Sequence, residues 1–119
     1  MLVNILFIGI GGAIGAISRY GVNEFFINYL SISSNSGTLF ANVLGCFFIG
    51  LLFGFALPIK DTAYYFFAIG YLGSFTTMSA FSYQVVMMAN SNLINALSYI
   101  MLTVILTILA TYIGAMISK

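Results

Sequence analysis

Only five of the 119 residues carry a formal charge: Arg19, Glu24, Lys60, Asp61 and Lys119. Soluble domains normally carry about a quarter of their residues as charges, so this chain cannot cover a surface against water. It also has 62% hydrophobic residues, and a lipid environment is the solvent that composition calls for. In lipid nothing outside the chain satisfies backbone amides and carbonyls, which leaves helices or closed barrels. No segment alternates with the two-residue period of a membrane strand. The expected fold class is therefore an all-α integral membrane protein.

Four long apolar stretches stand out, over about 2–28, 37–57, 63–89 and 93–118. Each exceeds the ~20 residues needed to cross a hydrocarbon core. The separators are polar or helix-stopping: Ser31 to Ser36, Pro58 with Lys60-Asp61, and Ala89 to Asn92. The first stretch lacks a basic leader and is too long for the core of a signal peptide, so it is expected to stay as a helix. No linker, soluble domain or low-complexity tail interrupts the pattern. Residues 1–119 are thus expected to form a single domain of four transmembrane helices.

Four crossings put both termini and the Lys60 loop on one side, leaving Arg19 near the other. Two basic residues against one is a small bias under the positive-inside rule, and it permits insertion in both orientations. The same scarcity excludes several functions. There is no His, Cys46 is the single cysteine, and Glu24 and Asp61 are the only carboxylates. No metal-ligand set, catalytic triad or paired-carboxylate site can be assembled from these. No basic cluster exists to bind nucleic acid. An enzyme is not expected.

Small residues recur at helical spacing in Gly11/Gly15, Gly12/Ala16, Ala41/Gly45 and Gly50/Gly54. Such stripes let membrane helices approach closely, either within the bundle or against a second copy. Polar residues at depth carry more information, since each needs a partner or water. Thr38 and Asn42 lie one turn apart on the second helix. On the fourth, Tyr99, Thr103, Thr107 and Thr111 follow at i+4 spacing. That stripe reads either as threonines bonding their own i−4 carbonyls or as a polar track for a small solute. Cys46 reads as packing.

The stretch Gly70-Tyr71-Leu72-Gly73-Ser74-Phe75-Thr76-Thr77-Met78-Ser79-Ala80-Phe81 places two glycines and four hydroxyls at mid-span. Glycine costs about 1 kcal/mol inside a helix, and Ser and Thr offer the backbone competing bonds. Two readings follow: a continuous glycine-rich packing face, or a break whose freed carbonyls suit a small monovalent cation. Arg19 reads either as an interfacial anchor or as a positive field at the mouth of an anion route. Glu24, five residues on, is slightly off the ideal pairing position.

Taken together, three ordered segments resemble the Fluc (CrcB) family of fluoride-specific ion channels. Gly11 to Tyr20 is similar to its GGxxGAxxRY, Gly37 to Gly45 to its GTLxxNxxG, and Gly70 to Phe81 to its GxxGxxTTFSTF. The resemblance implies an antiparallel, dual-topology dimer in the cell inner (plasma) membrane, with two fluoride pores along the subunit interface and passive fluoride efflux that limits toxicity. It implies a structural Na⁺ at the dimer centre, held by the backbone carbonyls of Gly73 and Thr76 in a third helix broken at mid-membrane. It assigns Thr38, Asn42, Met78, Ser79, Phe81, Tyr99, Thr103 and Thr107 to the fluoride pore and Arg19 to the vestibule. The partners implied are fluoride, membrane lipid and a second copy, or a paired homologous chain.

The sequence departs from the family pattern at Met78, where phenylalanine is usual, at Ala80, where threonine is usual, and at Gln84, where an acidic residue often follows. A ring edge carries the positive part of the aromatic quadrupole and can face an anion, whereas a thioether cannot. One alternative is therefore one subunit of a heterodimeric channel. Another is a proton-coupled small multidrug exporter, which needs a buried carboxylate on the first helix. Glu24 lies near that helix's end.

Overall fold

The computed structural model describes residues 1–31, 34–56 and 59–118. The expected stop at Pro58, the charge of Lys119, and Ile32 and Ser33 of the first polar turn lie outside the described residues. Among the described residues the regular elements are all helices: α1 (Leu2–Asn28), α2 (Ser34–Phe53), a π-helix (Tyr64–Leu72), α3 (Gly73–Phe75), α4 (Met78–Ser91) and α5 (Leu93–Ser118). Among the described residues, α1, α5 and residues 35–53 of α2 are long and apolar enough to cross a membrane. At 1.5 Å per residue the 27 residues of α1 extend about 40 Å, in keeping with the 46 Å long axis of the molecule.

Two boundaries differ from the sequence reading. The second helix begins at Ser34 and ends at Phe53, not at 57, because Gly54 adopts φ +59° and turns the chain. Ala89, Asn90 and Ser91 are helical, so the last turn narrows to Asn92 (φ −156°, ψ 106°). Asn92 can act alone because its Oδ1 accepts from the amides of Ile94 and Asn95 at 3.0 and 3.3 Å, capping α5. The third apolar stretch is broken, as the resemblance implies, into pieces of 9, 3 and 14 residues, the first of them wound as a π-helix, which the sequence reading did not anticipate.

Packing is by backbone proximity. A Cβ on Gly11 would run into the Phe66 carbonyl, and one on Gly15 into the Tyr71 carbonyl, so α1 lies directly against the π-helix. Gly50 and Gly114 bring α2 and α5 together in the same way, facing the carbonyls of Thr111 and Phe47. The small-residue stripes Gly11/Gly15 and Gly50 therefore serve contacts within the chain, while Gly54 ends a helix. The π-helix and α3 rest on α1; α4 rests on α5; α1 touches neither α4 nor α5. What is buried is mostly small or polar, including Ala41, Ala68, Ala96, Thr38, Asn42, Thr77 and Thr103. The large apolar side chains point outward, as lipid-facing residues do.

Candidate functional site

The third stretch is interrupted at Thr76 (φ −81°, ψ 155°) and Thr77 (φ −150°, ψ 121°), both extended. Local chemistry explains the position. Thr76 closes the helix before it, donating its amide and its Oγ1 to the Leu72 carbonyl at 3.1 and 3.0 Å. Thr77 opens the next one, its Oγ1 accepting from the Ala80 amide at 3.2 Å as an N-cap. Between them Asn42 of α2 reaches across. Its Oδ1 accepts from the Thr77 amide at 2.7 Å and its Nδ2 donates to the Thr77 carbonyl at 3.1 Å.

These bonds have a consequence for the carbonyls. In an uninterrupted helix the Thr77 amide would go to Gly73 and the Ala80 amide to Thr76. Both amides are taken elsewhere, so the carbonyl oxygens of Gly73 and Thr76 lose their helical donors. Gly73 is exposed on the chain surface, and Thr76 is partly so. Two neutral oxygens freed in this way are hard ligands of the type that coordinate a small cation. Among the described residues no cluster of three His, Cys, Asp or Glu exists.

Beside the break lies an open pocket of about 250 Å³, bordered by α2, α4, α5 and the break itself. Asn42, Met78, Phe81, Thr103 and Thr107 line it together, with Cys46, Thr76, Thr77 and Val104. Cys46 and Thr107 also line a second pocket of about 410 Å³ that reaches Tyr112, so the two pockets adjoin along α2 and α5. The threonine stripe divides on inspection. Thr107 and Thr111 donate to the carbonyls of Thr103 and Thr107, at 2.6 and 3.0 Å, and are self-satisfied. The Oγ1 of Thr103 is buried with no hydrogen-bond partner, in a residue only 7% exposed. A buried hydroxyl without a partner is costly, and this one borders the cavity.

Thr38, Ser79 and Tyr99 stand outside that cavity. Thr38 is fully buried, and its Oγ1 accepts from Gln84 Nε2 at 2.8 Å. The Oε1 of Gln84 accepts from the Tyr99 hydroxyl at 2.8 Å, and the Asn35 carbonyl lies 3.2 Å from the same hydroxyl. Tyr99 in turn packs its ring on Phe81, centroids 5.3 Å apart and tilted 49°. The residue links α2, α4 and α5 behind Phe81 rather than facing the cavity. Ser79 is exposed, its hydroxyl 3.3 Å from that of Thr77. Met78 stands at the rim, 72% exposed.

Arg19 lies on α1, remote from the cavity, with its Nε buried and without a hydrogen-bond partner. Its neighbour Ser18 accepts from the Tyr71 hydroxyl at 3.1 Å. Glu24 does not pair with it; the Glu24 carboxylate accepts from Asn28 Nδ2 at 2.9 Å. Sequence reasoning gave no site role to Thr77 or Cys46. Both left a signal. Thr77 has its amide partner Ala80 at the N-cap spacing, and Cys46 falls one turn after Asn42 on the face Thr38 begins.

Comparison with known proteins supplies the remaining finding. A family model described as CrcB-like protein, Camphor Resistance (CrcB), matches residues 6–115. A protein of Dehalococcoides mccartyi (strain CBDB1), named fluoride-specific ion channel FluC, is 41% identical over 115 residues, covering 93% of this chain and 88% of its own. One of Campylobacter jejuni (strain RM1221) with the same name is 41% identical over 126 residues, covering both chains fully. A third of that name, from Leptospira interrogans, is 42% identical over 106 residues, covering 86% and 84%.

Proposed function

The chain belongs to the CrcB family, and from that premise we propose that it is a fluoride-selective channel in the cell's plasma membrane, releasing cytoplasmic fluoride passively and so limiting its toxicity. It is a multi-pass membrane protein whose work is transport, not catalysis. The observation that carries the reading is the buried Thr103 hydroxyl without a partner at the cavity between Asn42, Phe81 and Thr107.

Fluoride is small and holds its water tightly, so a narrow route must replace that water with donors. Thr103 Oγ1–H has no competing acceptor. The amide of Asn42 has two N–H donors and spends one on Thr77, leaving the second. The Phe81 ring, held by Tyr99, brings a positive edge. Larger halides fail on fixed donor geometry and width. Arg19 raises the local anion concentration without touching the route. No buried carboxylate is at hand for proton coupling, since Glu24 sits near the end of α1 and is bonded by Asn28. That disfavours the multidrug-exporter alternative.

The finer architecture belongs to the same proposal. Four crossings are formed by α1, α2, the segmented third stretch and α5, as one domain, and two chains pair in antiparallel orientation with a pore on each side. Thr38, Ser79 and Tyr99 then serve the route from its ends or through Phe81. The Gly73 and Thr76 carbonyls, released from helical bonding and accessible at the surface, fit a Na⁺ shared between two copies. Held by these carbonyls, such an ion would supply a fixed positive charge at the break. The near balance of basic residues, and the outward exposure of Gly73 and Met78, support the pairing.

The test is fluoride efflux from liposomes that contain the purified chain, followed with a fluoride electrode. Efflux above that of empty liposomes, with chloride retained, is the expected result. Efflux that needs a second, unlike chain would replace the homodimer by a heterodimer.

A further inference from the structure

Two buried polar atoms on α1 lack partners, and they are complementary. Arg19 Nε–H is a donor and Asn23 Oδ1 is an acceptor. The residues stand at i and i+4, one turn apart on the same face, with Cβ atoms about 5–6 Å from each other. Neither reaches the other directly, since each remains without a hydrogen bond. Asn23 is pressed against α2 at Gly37, where an added Cβ would strike the Asn23 Oδ1 and lie 3.3 Å from its Cα and 3.4 Å from its Cγ. Gly37 is small enough to admit the Asn23 side chain at this contact.

The chemistry restricts what completes this pair. An anion would be drawn to Arg19 but repelled by the amide oxygen of Asn23. A cation would meet the reverse. A small neutral group that accepts from Nε–H and donates to Oδ1 satisfies both, and a buried water needs at least two such partners. We infer that one trapped water bridges Arg19 to Asn23, and that Asn23 is a positioning residue fixing the guanidinium from which the anion-attracting field arises. The effect on conduction rests on the channel reading; the bridge itself does not.

Arg19 is the only arginine in the chain, so its Nε–H gives a single unambiguous resonance in the ¹⁵N-labelled protein. In the native protein this proton is expected to exchange slowly with solvent and to show a cross-peak to a bound water. In Asn23→Ala the exchange is expected to quicken by about tenfold, the ratio that one lost hydrogen bond gives, and fluoride efflux to fall several-fold. Asn23→Asp keeps the shape and the acceptor. It should leave the proton protected while lowering efflux, because a carboxylate one turn away cancels the field. Unchanged exchange in Asn23→Ala overturns the inference, as does rapid exchange in Asn23→Asp if the alanine variant fails to fold. Absence of fluoride efflux from the native protein would sink the channel reading and leave the exchange result to decide the bridge.

Discussion

Asn42 and Thr77 are joined by two hydrogen bonds running in opposite directions, 2.7 Å from the Thr77 amide to Oδ1 and 3.1 Å from Nδ2 to the Thr77 carbonyl. A side-chain amide here does the work of a neighbouring strand, satisfying both backbone groups of a residue that belongs to no helix. The break in the third stretch therefore depends on α2 as much as on its own sequence.

Removing that amide should be severe. Asn42→Ala strands a buried N–H and a buried carbonyl, each costing about 1–3 kcal/mol, so a clear loss of thermal stability in detergent is expected together with loss of efflux. Asn42→Asp can still accept from the Thr77 amide but cannot donate to its carbonyl. It should be the more stable of the two variants and equally silent to fluoride. Thermal unfolding monitored by size-exclusion chromatography, beside the liposome assay, separates the outcomes.

Thr103 should behave in the opposite way. Its hydroxyl is buried without a partner, so Thr103→Val deletes a group that only burdens the fold, and stability should hold or rise by up to about 1 kcal/mol. Efflux should fall by an order of magnitude or so, the scale of one lost donor. Thr111→Val removes a hydroxyl that bonds to its own helix and should leave efflux within about twofold. Equal losses in the two variants would argue against a special role for Thr103.

The glycines of α1 permit a control of position. Gly11→Ala and Gly15→Ala drive a Cβ into the Phe66 and Tyr71 carbonyls, whereas Gly21 has nothing within 4 Å of an added Cβ. The first two should each destabilise by about 1–3 kcal/mol, as overpacking does. Gly21→Ala should be neutral or stabilising by up to about 1 kcal/mol from helix propensity alone. Melting temperatures of the three variants test this directly.

How far the sequence carried the structure can be traced through these same residues. Five charges were enough to dictate helices in lipid, whereas the glycine and hydroxyl content between Gly70 and Phe81 left a continuous packing face and a break both open, and the resemblance pointed to the break. The π-helical winding of Tyr64–Leu72 had no such mark; the segment packs on α1, where Gly11 and Gly15 admit the Phe66 and Tyr71 carbonyls. The i+4 stripe of Tyr99, Thr103, Thr107 and Thr111 gave one face but not its division. Whether a threonine bonds its own helix or faces a cavity is decided by a rotamer, and periodicity is blind to rotamers. Thr38 was assigned to the pore by the resemblance, and nothing in the sequence signalled that Gln84, 46 residues away, donates to its hydroxyl.

The proposed ion at Gly73 and Thr76 gives an assay independent of conduction. Replacing Na⁺ throughout purification by N-methylglucamine, too large to sit between carbonyls, should lower the melting temperature, and Na⁺ should restore it in a concentration-dependent manner. Stabilisation follows RT ln(1 + [Na⁺]/Kd), reaching about 2.7 kcal/mol at a hundredfold excess over Kd. A melting temperature indifferent to Na⁺ would remove the ion from the proposal.

Met78 provides the last test, because it joins an exposed position to a chemical departure. At 72% exposure on the cavity rim, Met78→Phe has room for the ring, and no change in chain stability is expected. A ring at the rim would offer an anion the positive edge that the thioether lacks. Edge-to-face contacts between rings are worth about 0.5–1.5 kcal/mol, and the same scale for an anion at the edge converts to roughly two- to tenfold. The fluoride-to-chloride flux ratio of Met78→Phe should rise by a factor in that range, read as parallel fluoride and chloride efflux from the same liposomes. An unchanged ratio would mean that Phe81, backed by Tyr99, supplies by itself the ring edge the route uses. A lower ratio would mean that the methionine is adapted to a partner surface and that its place at the rim is structural.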